Sequence, residues 1–88
     1  MSMTDVSVRL RYYAGASAAA GRDEEPVTVA AGTTTATLVA DACARHGADL
    51  TRVAAACSVL VDGVPDADRS RVLDGAVTVD LLPPFAGG

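Results

Sequence analysis

Five residue types are missing from this chain of 88 residues: Lys, Asn, Gln, Ile and Trp. With no Lys, seven Arg stand against eleven Asp and Glu, for a net charge of −4. Such a balance has no electrostatic footprint for nucleic acid, and no cluster of Arg interleaved with aromatics makes up for it. No nucleic-acid partner is expected. Cysteine is scarce as well. Cys43 and Cys57 have neither CxxC spacing nor clustered His around them, which excludes a disulfide framework and a zinc site. No apolar run is long enough to cross a bilayer, and the opening MSMTDVSVRL, broken by Asp5 and Arg9, has no signal-peptide core. A cytoplasmic protein with no membrane partner is expected. Alongside these absences Ala, Gly, Val, Arg and Asp abound, the bias of a GC-rich genome and of a bacterial source.

Half of the chain is hydrophobic, with eighteen Ala and twelve Val. The core is therefore built from small and β-branched side chains. A chain of this length makes one domain and buries roughly 60–65% of its extended surface. That suffices for two layers but leaves no room for a deep active-site cavity, so a free-standing enzyme is not expected. The acidic balance suits a partner with a basic docking surface.

Val6-Ser7-Val8-Arg9-Leu10-Arg11-Tyr12 places apolar residues at every second position, the mark of a strand with one buried face. Residues 14–25, AGASAAAGRDEE, lose that period and read as a surface loop with at most one helical turn. Pro26 to Ala30 resume the alternation as a short strand, with Pro tolerable at its start. Thr34 or Thr35 caps a helix carrying Leu38, Val39, Ala42, Cys43 and His46 on one stripe, and Gly47 stops it. Residues 50–56 read as a second short helix or a turn, and Cys57 to Val61 as a strand. Asp62-Gly63 is a hairpin signal before Val64 and Pro65. After a turn at Leu73-Asp74-Gly75, the last strand runs from Ala76 to Leu82. This order predicts an α+β roll: a mixed sheet of four to five strands on one main helix, with the first and last strands as central neighbours and short strands at the edges.

The most informative segment is Leu81-Leu82-Pro83-Pro84-Phe85-Ala86-Gly87-Gly88. Two terminal glycines arise by chance in roughly 0.5% of chains, which is weak evidence alone, but their setting strengthens it. Pro83 and Pro84 cannot donate to a ladder and hold the exit stiff and extended. From Pro83 onward the chain reaches about 20 Å at most. Gly87 and Gly88 carry no Cβ and can thread a channel too narrow for other residues. Residues 1–82 thus read as the domain and 83–88 as a tail that delivers its own carboxylate into a partner's active site.

In these features the sequence resembles the ubiquitin-like β-grasp sulfur carriers of the MoaD/ThiS family, and most closely the small subunits of molybdopterin synthase. The matching residues are Tyr12-Tyr13-Ala14 at the end of the first strand, the Leu73-Asp74-Gly75 turn, and Val77 to Gly88 with its Pro-Pro-x-x-Gly-Gly ending. Two features depart from the family: Ala76 stands where an acidic residue is usual, and residues 14–21 are unusually rich in alanine. The resemblance implies a ubiquitin-like β-grasp fold and a subunit that is not catalytic on its own. Gly88 would be adenylated by a ubiquitin-activating-type adenylyltransferase using ATP, then converted by a persulfide sulfur donor into a thiocarboxylate. In molybdopterin synthase the large subunit takes up such a tail, and its sulfur builds the dithiolene of the molybdenum cofactor. By the same resemblance Gly87 clears the channel, Phe85 anchors the tail, and Ala86 and Pro84 line the partner contact. No cofactor is bound stably, because ATP belongs to the activating partner. A carrier for cysteine, thiamine or natural-product synthesis shares this tail chemistry. Two other classes remain open: a protein modifier joined through Gly88, and a binding module with an inert tail.

The other candidates read more simply as structure. Cys43 and Cys57 behave as small hydrophobes, and His46 suits the negative end of its helix. Asp23-Glu24-Glu25 reads as a solvated loop. Asp62, Asp66 and Asp68 miss the spacing and terminal Glu of a calcium-binding loop. Tyr12 and Tyr13 must face opposite ways, one toward the core and one toward the rim.

Overall fold

A computed structural model describes residues 5–84. The alternating stretch at the start forms β1 (Val6–Tyr12), followed by a short helix α1 (Gly15–Ala20) and β2 (Glu24–Val29). Two consecutive helices come next, α2 (Thr35–His46) and α3 (Ala48–Ala56), and then β3 (Ser58–Val61), β4 (Val64–Pro65) and β5 (Ala76–Leu82). The five strands form one sheet in the order β2-β1-β5-β3-β4. As the sequence predicts, the first and last strands are central neighbours, and they run parallel. The remaining pairs are antiparallel.

The strand period of two sorts residues between the faces. Val6, Val8, Leu10 and Tyr12 of β1, Val79 and Leu81 of β5, and Val59 and Val61 of β3 are buried beneath the helices. Leu38, Val39 and Ala42 of α2, Leu50 and Ala54 of α3, and Ala16 of α1 meet them from above. A fully buried Leu such as Leu38 or Leu50 contributes about 1.5–3 kcal/mol of transfer free energy. The helical layer is richer than one main helix: the short helix or turn expected at residues 50–56 is a nine-residue helix, α3, and the helical turn allowed within the loop at 14–25 is the six-residue α1. Alpha1 is too short for periodicity to reveal. Its one buried residue is Ala16, and it ends at Gly21 in the left-handed region, φ 76°. Beta2 also begins two residues earlier than expected, at Glu24.

Helix ends are closed in ways that tie the layers together. Thr34 is the N-cap of α2, its hydroxyl accepting from the Thr37 N–H at 3.3 Å, while Thr35 lies buried. The next two orphan donors of α2, the N–H groups of Thr35 and Ala36, bond the carbonyls of Arg71 and Arg69 at 3.0 and 2.9 Å. The Arg69 guanidinium donates in turn to the carbonyls of Ala54 and Cys57, at 2.7 and 2.9 Å, at the end of α3. One loop residue thus serves both helices, and it sits in the left-handed region to do so, φ 57°. Among the described residues no helix is long and apolar enough to cross a membrane.

Candidate functional site

The tail is rooted at the end of β5, the strand held on both sides. Its register on β1 runs from Ser7 opposite Ala76 to Tyr12 opposite Leu81. On β3 it runs from Val61 opposite Val79 to Ser58 opposite Leu82. Leu81 is fully buried, Leu82 and Pro83 are half-buried, and Pro84 is exposed. The chain therefore leaves the core and reaches the surface within three residues, where the two prolines withhold the N–H groups that would extend the ladder. Of the site residues expected from the sequence, Pro84 stands exposed at this exit. Phe85, Ala86, Gly87 and Gly88 lie outside the described residues.

Around the root, Tyr13 donates its N–H to the Leu81 carbonyl at 3.2 Å. Tyr13 is 38% exposed, whereas Tyr12 is 3% exposed, the opposite facing expected of neighbours at a strand end. Arg11, on the outer face of the sheet, holds Asp80 with two bonds: Nε to Oδ1 at 2.6 Å and Nη2 to Oδ2 at 3.1 Å. The Arg11 Cζ also lies 5.8 Å from the centre of the Tyr13 ring. Hydrogen bonding to Asp80 raises the Arg11 pKa further, so this cation stays charged at every working pH. A cleft of about 460 Å³ opens beside it, lined by Tyr13, Ala14, Ser17, Asp23 and Glu24 among others.

The acidic run differs from its sequence reading. Asp23 and Glu24 are exposed, but Glu25 is 8% exposed and faces the helices. It accepts from the Tyr12 hydroxyl, from Arg45 at 3.2 Å and from Arg22 at 3.5 Å, and it pairs with His46 Nε2 at 2.8 Å. Burial alone pushes the Glu25 carboxyl upward, but the bonds from Tyr12, His46 and Arg45 outweigh it and bring the pKa to about 2. His46, expected to act through the helix dipole, is a specific partner of this carboxylate and packs edge-on against Tyr12. A signal for this was present in the sequence. Counting back by twos from Val29 and Val27 places residue 25 on the inward face, and His46 lies on the inward stripe of α2.

The remaining candidates are committed to structure. Cys57 is buried and caps α3 rather than opening β3, with its Sγ 3.3 Å from the Val53 carbonyl, and burial pushes its thiol pKa up, away from nucleophilic use. Cys43 is half-buried at the edge of the core. Asp62 accepts the Thr78 N–H, Asp66 the Arg71 N–H, and Asp68 both donors of Ser70. Among the described residues no group of three or more His, Cys, Asp or Glu side chains is gathered to hold a metal.

No family model matches the sequence, and no curated protein matches it significantly. Solved structures do. A Pyrococcus furiosus protein described as subunit 1 of a molybdopterin converting factor superposes with a TM-score of 0.78 at 22% identity, covering 91% of this chain and 99% of that one. The small archaeal modifier protein 1 of Haloferax volcanii gives 0.79 at 20% identity, again covering 91% and 99%. A Helicobacter pylori complex of subunits 1 and 2 of the molybdopterin-converting factor gives 0.61 at 20% identity, covering 93% and 99%. At these identities the likeness is one of fold, and the chain has the ubiquitin-like β-grasp architecture that the sequence predicts.

Proposed function

We propose that this protein is a sulfur carrier that holds sulfur as a thiocarboxylate on Gly88. The observation that carries this reading is the exit of β5. The central strand of a β-grasp sheet ends at Leu82 and reaches the surface at Pro84, and the sequence continues as Phe85-Ala86-Gly87-Gly88. In this reading the chemistry falls to the tail. A terminal carboxylate with a pKa near 3.5 is ionised at neutral pH and is a poor electrophile. Adenylation by ATP on a ubiquitin-activating-type partner releases pyrophosphate and turns the carboxylate into an acyl-adenylate. A persulfide donor then attacks the acyl carbon and expels AMP, and reductive cleavage of the resulting acyl disulfide by a thiol leaves the thiocarboxylate. Gly87 passes the partner's channel, and Phe85, Ala86 and Pro84 make contacts along it. ATP is bound by the activating partner, and carrier and partner meet in the cytoplasm, which supplies it.

The recipient is proposed to be the large subunit of a molybdopterin synthase, with the sulfur entering the dithiolene of the molybdenum cofactor. This choice rests on the Pro-Pro-x-x-Gly-Gly ending and on the fold shared with molybdopterin-converting-factor subunits. A second reading, a protein modifier joined through Gly88, is favoured by the equally good superposition on an archaeal modifier protein. The test is intact-mass analysis after incubation with the activating enzyme, MgATP and a persulfide donor. Exchange of one oxygen for sulfur in the wild type, absent when Gly88 is deleted, supports the carrier. An unchanged mass with a proven cognate activator overturns it.

A further inference from the structure

Arg11 lies between two carboxylates. Glu24 is opposite it on β2 and Asp80 is opposite it on β5. It takes Asp80, with both bonds of the planar fork, and Glu24 instead lies 3.7 Å from Arg9. Asp80 is 6% exposed, so the pair is largely withdrawn from water on its acidic side. As a source of stability this is a poor use of the position, since apolar residues of similar volume often serve as well or better. A two-point, planar link does something apolar contact does not: it fixes the separation and register of the two strands at one rung.

The rung concerned is next to the last. Asp80 precedes Leu82, where the sheet ends, by two residues, and Tyr13 closes the same corner with its N–H on the Leu81 carbonyl and its ring beneath the Arg11 guanidinium. Beyond Leu82 the prolines give the tail no ladder to hold. A slip or fraying of β5 by one residue moves everything after it by about 3.3 Å. That is as large as the whole separation of about 3–3.5 Å between reacting atoms in a near-attack geometry.

We infer that Arg11 is a positioning residue: through Asp80 and Tyr13 it fixes where, and in which direction, β5 releases the tail. The inference rests on the sulfur-carrier reading. It is tested with Arg11→Leu/Asp80→Leu, which removes the clasp without leaving a buried unpaired charge, and with Arg11→Lys, which keeps the charge and loses the fork. Three quantities are measured in the full chain: the thermal midpoint, amide hydrogen exchange at residues 80–82, and KM and kcat for thiocarboxylation with the activating enzyme, MgATP and a persulfide donor. In the double variant the midpoint is retained, exchange at residues 81 and 82 quickens, and KM rises with kcat unchanged. A tail root correctly placed a tenth of the time raises the apparent KM about tenfold. Arg11→Lys moves exchange and KM in the same direction. Wild-type exchange and KM in both variants overturn the inference, as does a fall in kcat with KM intact. A wild-type chain that takes up no sulfur overturns the carrier reading instead, and the exchange comparison still decides the clasp.

Discussion

Replacing Glu25 by Gln should cost this small domain a large part of its stability, and the cost should vanish in acid. Glu25 is 8% exposed and is the common acceptor for Tyr12, Arg45, Arg22 and His46, which joins β1, β2 and the end of α2. Its pKa falls from 4.5 to about 2 on folding. At 1.36 kcal/mol per unit, that depression corresponds to about 3 kcal/mol of stability. A depressed carboxyl pKa stabilises above the unfolded value and loses its contribution as pH falls through the folded one. The contribution is therefore complete above about pH 4.5 and is lost toward pH 2. Gln keeps the shape and removes the charge, so the variant lacks the contribution at every pH. With a urea slope of about 1–2 kcal/mol/M for a chain of this size, the neutral-pH midpoint should drop by about 2 M. Urea titrations of both proteins from neutral pH down to about pH 2 measure the difference. Equal midpoints at neutral pH, or a difference that does not narrow in acid, would refute the reasoning.

Three further outcomes are expected. Phe85→Ala should weaken binding to the partner by roughly 1–3 kcal/mol with an unchanged melting temperature, measured by calorimetry beside thermal melts; equal affinity would show that the tail passes without an aromatic anchor. Cys43→Ala and Cys57→Ala should each cost on the order of 1–2 kcal/mol and leave sulfur uptake intact, so loss of uptake in a folded variant would place that thiol in the relay. Arg69→Ala should lower stability by about 1.5–3 kcal/mol through its lost bonds to the Ala54 and Cys57 carbonyls, and hydrogen exchange should show the loosening at the end of α3.

The parts of the fold that the sequence discloses are those whose patterns are local. The alternation of Val6 to Tyr12 and of Ala76 to Leu82 marks the two central strands, and Gly47 stops α2 where expected. Pro83 and Pro84 mark the end of the sheet for a reason intrinsic to proline. Alpha1 was hidden because six residues with one buried alanine carry no periodic signal, and the helix is held by packing against α3. Glu25 was hidden by its neighbours: three consecutive acids suggest solvent, yet the strand period turns the third inward to cations that come from α2 and from Arg22. The Arg11–Asp80 pair joins residues 69 apart in the chain, and only the parallel register of β1 on β5 brings them together. The tail is read from residue types alone, from Pro83 to Gly88, and beyond Pro84 it lies outside the described residues.

The most direct test of the central claim is the chemical state of Gly88 in the protein isolated from its own cells. Tandem mass spectrometry of the C-terminal peptide, after alkylation of thiocarboxylates, distinguishes a sulfur-bearing end from a plain carboxylate and from an amide to another protein. The carrier account predicts an alkylated thiocarboxylate on Gly88 in a measurable fraction of the chains. Gly88 found only as a carboxylate, or only in amide linkage, would contradict it.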